Sequence, residues 1–148
     1  MPASQDALTL LDLDHQRVET LFEDFKLASS DDRKADLAAL ICLELTLHAA
    51  LEEELFYPAL RQVSKDEEMV RDAIEEHQEM KDLIAELRSG GKPDALVPKL
   101  QEVVEHHVEE ERNEVFPKAR ECGLDLQGLG EKLEQRKAKL VQQVQAHA

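Results

Sequence analysis

Two histidine–glutamate pairs are the features of this sequence best suited to chemistry. His48 precedes Glu52 by four residues, and His107 precedes Glu111 by the same interval. Side chains four residues apart lie on one face of an α-helix, about 5–6 Å from each other, so each pair can reach a single site between helices. Imidazole nitrogen and carboxylate oxygen at that spacing are suited to binding a metal ion.

Two further histidines interrupt helix faces that are otherwise apolar. His15 and His77 each take the third place in a stripe spaced by three and four residues, which is typical of a core-facing helix surface. If three in seven helical positions face the core, chance places all four histidines inward only about 3% of the time. The two stripes are Leu8, Leu11, His15, Val18, Phe22 and Phe25, and Val70, Ala73, His77, Met80, Ile84 and Leu87.

The two glutamates require positive charge if they face a helical core. Burying a carboxylate without compensation costs several kcal/mol, so Glu52 and Glu111 predict bound cations. Two divalent or trivalent ions bridged by the carboxylates meet this requirement. Imidazole suits iron, zinc, copper and nickel, and carboxylate adds manganese. Six donors shared between two ions leave coordination positions open, so a small ligand can bind.

An internal repeat supports this site. Residues 48–61 superpose without gaps on residues 107–120, so that His, Glu, an aromatic residue, Pro and Arg coincide. Residues 14–16, Asp-His-Gln, likewise match residues 76–78, Glu-His-Gln. The first two helices therefore repeat as the third and fourth. The repeated unit is a helical hairpin, and two copies predict a bundle with approximate two-fold symmetry.

The repeat also decides between two adjacent histidines. His106 is rotated by about 100° from His107 on a straight helix, so the two cannot both face the centre. The intervals from histidine to glutamate to proline match those of the first copy only if His107 is the ligand. The pair of His106 and Glu110 remains a competing register. Pro58 and Pro117 each predict a bend or an end in their helix.

Clusters of helix-breaking residues divide the chain into five helical segments. They lie around residues 29–32, 63–66, 89–93 and 122–125. Because short connections between long helices imply antiparallel neighbours, the predicted fold is all-α: an up-down-up-down antiparallel four-helix bundle with an additional C-terminal amphipathic helix. That fifth helix packs on the bundle or on another subunit. The predicted N-caps are Ser4 or Asp6, Asp31 or Asp32, Ser64 or Asp66, Asp94, and Asp125.

Length and composition limit the class of protein. The 148 residues suit one domain over residues 1–148, with the bundle core at about 5–121 and the fifth helix at about 125–146. The net charge of −15 opposes binding to nucleic acid or to an anionic membrane. Cys42 and Cys122 are too few for a disulfide framework and are predicted to be reduced thiols. We expect a cytoplasmic monomer or homodimer, with His147 in a solvated tail.

Several other residues near the histidines are open to more than one interpretation. Glu44 lies one turn before His48, and Asp14 and Glu76 directly precede histidines. Each of the three either orients a ligand or relays a proton, or is an ordinary surface acid. The acidic runs are predicted to be solvated faces, and one aromatic pair is predicted to shield the site. The runs contain Glu53, Glu54, Glu109 and Glu110, and the aromatic pair is Phe56 and Tyr57.

The ordered set of histidines, glutamates and prolines resembles the hemerythrin-like HHE cation-binding domain over about residues 5–121. The resemblance implies a non-haem centre of two iron ions with an oxo or hydroxo bridge, two histidines on each iron and both glutamates bridging. Lys81 stands where oxygen-carrying hemerythrins have a further histidine, which argues against reversible oxygen carriage. The matching positions are His15, His48-x-x-x-Glu52 with Phe56-Tyr57-Pro58, His77, and His107-x-x-x-Glu111 with Phe116-Pro117.

The resemblance also implies a range of functions. The first hypothesis is a protein that binds or reacts with a small ligand, either a diatomic such as oxygen or nitric oxide, or peroxide, in sensing or stress response. The alternative is iron homeostasis or storage, or a structural metal without turnover. A scaffold that binds a protein partner through its acidic surface and fifth helix is a third hypothesis. Zinc and manganese remain alternatives to iron, and enzymatic activity remains open.

Overall fold

The computed structural model describes residues 5–146, and the regular secondary structure within that range is entirely helical. Connections of two to four residues return each helix beside the one before it, so the predicted antiparallel bundle with a fifth helix is confirmed. Ser4 and His147 lie outside the described residues. The helices are α1, Ala7–Leu27; α2, Asp31–Leu51, Glu52–Phe56 and Tyr57–Ser64; α3, Glu67–Arg88; α4, Pro93–Glu110, Glu111–Val115 and Phe116–Glu121; and α5, Leu126–Ala146.

Three helices begin at the caps that the sequence predicts. The Asp6 carboxylate accepts a hydrogen bond from the Thr9 N–H at 2.8 Å, and the Asp66 carboxylate accepts one from the Met69 N–H at 3.1 Å. The Asp125 carboxylate accepts from the Gly128 N–H at 3.0 Å in the first turn of α5. Each bond satisfies a backbone donor that the helix itself leaves free.

The caps predicted for α2 and α4 are wrong. Ser30 caps α2, because its hydroxyl accepts from the Arg33 N–H at 3.1 Å, while Asp31 and Asp32 lie in the first turn, where negative charge favours the helix dipole. Helix α4 begins at Pro93 without a side-chain cap. Proline is suited to this position because the N–H that it lacks would have no helical partner there.

Each of the two long even-numbered helices contains one π-helical turn. The turns span Glu52–Phe56 and Glu111–Val115, and each ends two residues before a proline. The Tyr57 N–H bonds to the carbonyl of Glu52, five residues earlier. Since proline cannot donate to the α-helical ladder, the wider turn adjusts the hydrogen bonding, and the helix continues beyond Pro58 and Pro117 instead of ending there.

The core consists of two apolar clusters with a polar layer between them. Along α1 and α3 a histidine separates residues of one cluster from residues of the other, and along α2 and α4 the change of cluster follows shortly after His48 and His107. The polar layer is therefore enclosed from both ends of the bundle. Cluster A includes Val18, Phe22, Phe25, Ile41, Met80, Ile84 and Leu100, and cluster B includes Leu8, Leu11, Phe56, Leu60, Val70, Phe116 and Leu133.

Helix α5 packs on the bundle of its own chain. Leu129 and Leu133 are buried in cluster B, beside residues of α1. At Gly130 the two helices come so close that a Cβ atom would collide with the backbone of Gln5 and Ala7. Of the two alternatives for α5, packing on the bundle is therefore what the structure shows.

The two cysteines differ in burial. Cys42 is buried in cluster A and Cys122 is half-buried, and both are free thiols. Burial raises the pKa of Cys42 above its ordinary value, which favours the unreactive protonated form. Over residues 5–146, every helix is too short or too polar to cross a membrane.

Candidate metal centre

Four of the six candidate ligands form a first donor group in the polar layer. The Nε2 atom of His15 lies 3.0 Å from Oε1 of Glu111, and the Nε2 atom of His48 lies 3.1 Å from Oε1 of Glu52. Both glutamate side chains have no exposed surface. Helices α1, α2 and α4 thus bring two nitrogens and two carboxylates to one point. We call His15 and His48 the first half-site.

A second donor group lies beside the first and shares its glutamates. The Nε2 atom of His77 is 3.0 Å from Oε1 of Glu52, and the Nε2 atom of His107 is 3.3 Å from Oε1 of Glu111. Both histidines are buried. We call His77 and His107 the second half-site. Each carboxylate therefore contacts one histidine of each half-site at 3.3 Å or less.

An acidic side chain holds the outer nitrogen of each of the four inward histidines. These contacts orient each ring so that Nδ1 faces a carboxylate and Nε2 faces the centre. In neutral imidazole the Nδ1–H then donates outward, and the Nε2 lone pair is left for a metal ion. The Nδ1 pairs are His15 with Asp12 at 3.1 Å, His48 with Asp14 at 3.1 Å, His77 with Glu53 at 3.3 Å, and His107 with Glu76 at 3.0 Å.

The structure distinguishes the three acids that the sequence left open. Asp14 and Glu76 bind histidines of the following helix, so they orient candidate ligands. Glu44 instead contacts Arg17 at 3.4 Å. Burial raises the pKa of Asp14, but the hydrogen bonds and charges of His48 and then Lys137 outweigh it and lower the pKa to about 2.

Sequence reasoning missed two of the outer carboxylates. Glu53 was predicted to lie on a solvated face, but it binds His77, and its pKa is lowered chiefly by that hydrogen bond. Asp12 precedes His15 by three residues, a spacing that places both on one face of α1 and that would have identified it. No comparable spacing marks Glu53, because its histidine lies on a different helix.

The hydroxyl of Tyr57 reaches the centre itself. It donates a hydrogen bond to Oε2 of Glu111 at 3.0 Å and lies 3.4 Å from the Nε2 atoms of His77 and His107. The sequence predicted only that Tyr57 shields the site. Burial and the nearby carboxylates of Glu111 and Glu52 raise the pKa of Tyr57 well above its ordinary value, so the phenol keeps its proton.

The two candidate ligand pairs of α4, His107 with Glu111 and His106 with Glu110, have different surroundings. His107 and Glu111 lie in the buried centre, whereas the His106 side chain is 66% exposed. His106 lies 3.0 Å from Glu110, which was predicted to be solvated, and 3.4 Å from Glu76. The hydrogen bond with Glu76 is the main cause that raises the pKa of Glu110 to about 7.

The donor set fits bound cations. The Nε2 atoms of His77 and His107 are 3.1 Å apart, and those of His15 and His48 are 3.2 Å apart, so their inward lone pairs repel unless a positive charge lies between them. Within residues 5–146, the buried Oε2 atom of Glu52 finds no hydrogen-bond donor. A buried carboxylate oxygen without a donor is costly, and a metal ion would remove that cost.

The buried glutamates also favour protonation of the adjacent histidines. Burial lowers the pKa of His48 and of His107, but the adjacent glutamates outweigh it and raise both well above their ordinary value. The same cluster that attracts protons would attract metal ions, and the two compete for Nε2. The buried His and Glu groups are consistent with a metal site that has donors for two ions.

Comparison with known proteins places this geometry in a family. The family described as Hemerythrin HHE cation binding domain matches residues 6–119. A hemerythrin HHE cation-binding domain-containing protein of Mycobacterium kansasii has a similar fold, with a TM-score of 0.77, 24% identity, and coverage of 95% of this chain and 93% of that one. A Nostoc sp. protein named DNA nickase is 28% identical over 108 residues, which are 70% of this chain but only 30% of that protein. The chain belongs to the hemerythrin HHE cation-binding domain family.

Proposed function

We propose that this chain binds two iron ions and uses them to bind or transform a small ligand. His15 and His48 would bind the first ion, His77 and His107 the second, and Glu52 and Glu111 would bridge them. The observation that carries the proposal is the convergence of four inward Nε2 atoms on two shared, fully buried carboxylates. Iron accepts this mixed nitrogen and oxygen set, as do zinc and manganese, which are outcomes of the test.

Oxygen, nitric oxide and peroxide are the ligands that suit the site. Two redox-active ions supply electrons and open coordination positions to such molecules. The chain contributes a shaped environment, since clusters A and B cover the polar layer from both ends of the bundle. Tyr57 contributes a protonated hydroxyl 3.4 Å from two of the inward nitrogens, and this hydroxyl could donate its hydrogen bond to a bound ligand in place of Glu111.

The second candidate function is a structural or stored metal without turnover. The carboxylates that fix the four histidines in place favour this candidate. Ions that compensate the buried glutamates would stabilise the fold whether or not they react. The DNA-nicking activity named for the Nostoc protein is not proposed here. This chain matches 30% of that protein, and its net charge of −15 opposes binding to DNA.

The test is metal analysis and spectroscopy of protein purified without oxygen. We expect two irons per chain, and, after exposure to air, ultraviolet to near-visible charge-transfer bands that change when azide or nitric oxide is added. The Tyr57→Phe variant should bind both ions but show altered ligand-induced spectra. Glu109→Gln is the control, because it removes an exposed carboxylate on α4 that lies outside the cluster.

The outcomes separate the two candidates. A colourless protein that carries zinc, or bands that no small ligand alters, would support the structural metal. A protein that carries no metal after anaerobic purification and reconstitution would overturn both candidates. Mössbauer spectra of the iron-loaded protein would show whether the two ions are electronically coupled through a bridge, as the shared glutamates lead us to expect.

A further inference from the structure

An acidic cavity leads from the surface to the second half-site. It has a volume of about 350 Å³ and lies between α3 and α4. The fully buried Glu111 and the buried His107 line its inner end. Among the described residues that line the cavity, Lys118 is the one lysine or arginine. A cleft lined by one sign of charge concentrates ions of the opposite sign. Its other carboxylates are those of Asp66, Glu68, Asp72, Glu76, Glu110 and Glu114.

Two residues that line this cavity, Glu76 and Glu110, form a separate donor set with the exposed His106, which lies beside it. The Nε2 atom of His106 lies 3.0 Å from Oε1 of Glu110 and 3.4 Å from Oε2 of Glu76. Donor atoms of all three residues lie within 4.8 Å of one another, close enough to bind one cation. One nitrogen and two carboxylates suit divalent transition metals better than a purely acidic surface would.

The same three residues are joined to the buried centre. While Oε2 of Glu76 faces His106, its Oε1 accepts from Nδ1 of His107 at 3.0 Å. A cation held here is thus one carboxylate away from a candidate ligand, and the cavity continues to Glu111. The first half-site has no such arrangement, because the repeat places Leu47 and Leu51 where α4 has His106 and Glu110.

We propose that Glu76, His106 and Glu110 hold an incoming divalent metal ion, such as Fe²⁺, before it passes through the acidic cavity to the dinuclear centre. This inference rests on the proposed function, because it assigns the entry route of the same metal. The holding site is weaker than the centre, since it has three donors, of which His106 is exposed and Glu76 and Glu110 are partly exposed.

Anaerobic loading of Fe²⁺ into metal-free protein tests the proposal. At low micromolar Fe²⁺, we expect His106→Gln and Glu110→Gln to slow loading by about tenfold, within the range by which charged clefts accelerate association. Both variants should still reach two ions per chain, because neither residue belongs to the centre. Glu109→Gln, which removes the adjacent exposed charge but no donor, should load like the unaltered protein.

The outcomes distinguish failure of this inference from failure of the proposed function. If the unaltered protein takes up no metal, the proposed function fails. If it takes up two ions and His106→Gln loads equally fast, the holding site is refuted while the centre stands. Equal slowing by Glu109→Gln and Glu110→Gln, with no effect of His106→Gln, would mean attraction by charge alone and would also refute it.

A second measurement does not depend on rates. Titration of the unaltered protein with Co²⁺ should reveal a third, weaker site after the central two are filled, visible as an additional absorption change. His106→Gln should lose only this third site. A third site that persists in His106→Gln, or its absence from the unaltered protein, would contradict the proposal.

Discussion

The two half-sites use matching residues to hold one histidine and different residues to hold the other. Asp14 precedes His15 and binds His48, and Glu76 precedes His77 and binds His107. In both halves, therefore, the first helix of a hairpin supplies a candidate ligand and, one residue earlier, the support for the candidate ligand of the second helix. The contacts of Asp14 with His48 and of Glu76 with His107 therefore follow the sequence repeat.

The remaining two histidines show how the halves differ. In the repeat, Glu53 matches Arg112 and Lys81 matches Glu19, so the charges at both positions are reversed. Glu53 accepts from His77 and pairs with Lys81 at 2.8 Å. Arg112 cannot accept, so Asp12 takes that role at His15, and Arg112 binds Asp12 at 2.6 Å and Glu19 at 3.0 Å.

The halves also differ in what covers them. Helix α5 covers the first half-site, where Lys137 donates to Asp14 at 2.8 Å and Arg136 donates to Glu54 at 2.7 Å. The second half-site adjoins the acidic cavity instead. One half is thus braced by an added helix, and the other adjoins the cavity that we propose admits metal ions. Similar ligands can therefore differ in affinity and in rate of exchange.

The largest effect is expected at a glutamate that contacts both half-sites. Glu52 contacts His48 and His77, so Glu52→Ala should remove support from both half-sites and leave neither ion bound. The metal-loaded protein should lose about 4 kcal/mol of stability, as expected for a ligand present at a thousandfold excess over its dissociation constant. Metal analysis and thermal unfolding measure both. Unchanged metal content in Glu52→Ala would refute bridging, and Glu109→Ala is the control.

The next largest effect should be confined to one half. His107→Ala removes a buried inward nitrogen of the second half-site, so we expect one of the two ions to be lost, or bound far more weakly. His106→Ala should retain both ions at equilibrium, since that side chain is mostly exposed and outside the centre. Competition with a coloured chelator measures the affinities. Equal losses in the two variants would mean that the register of α4 is wrong.

Asp14→Asn and Glu76→Gln compare the matching supports directly. Each should lower the affinity for one ion by about 10–100-fold, the usual effect of removing a carboxylate behind a ligating histidine. Glu76→Gln should also slow metal loading, because Glu76 belongs to the holding site, whereas Asp14→Asn should not. Stopped-flow loading under anaerobic conditions separates the two. If both variants load equally slowly, the difference in access between the halves is refuted.

Most of the fold could be predicted because helix periodicity and breakers are local properties. The four inward histidines and their shared glutamates followed from spacing alone, and the repeat identified His107 as the inward residue of its pair. The caps of α2 and α4 could not be distinguished, since Ser30, Asp31 and Asp32 are all good caps and only the backbone selects among them.

The residues around the candidate ligands, such as Glu53 and Tyr57, were less predictable because their positions depend on contacts between helices. Glu53 is one of three consecutive glutamates, and which of them faces His77 depends on the π-helical turn that begins at Glu52. Tyr57 enters the centre at the end of the same turn. A straight α-helical wheel places these residues differently, so spacing in the sequence was not enough.

The smallest effect we expect comes from the brace between α5 and the first half-site. Lys137→Met should lower the affinity for the first ion only slightly, by about 1 kcal/mol or less, because Lys137 acts through Asp14 and is partly exposed. Lys139→Met, an exposed lysine on the same helix, is the matched control. An effect as large as that of Asp14→Asn would mean that α5 is an integral part of the centre instead of a brace.

The same variant should change the acid stability of the metal-free protein. The folded-state pKa of Asp14, about 2, lies below its ordinary value of 3.8, so the ionised form stabilises the fold above about pH 4 and this stability is lost as the pH falls toward 2. Without Lys137 the pKa of Asp14 rises, and the loss should begin at higher pH. Circular dichroism during acid titration measures the shift. Glu76, which matches Asp14 in the repeat, pairs with His106 and His107. A shift in Lys137→Met that Lys139→Met does not show would therefore support the brace on Asp14, and no shift would contradict it.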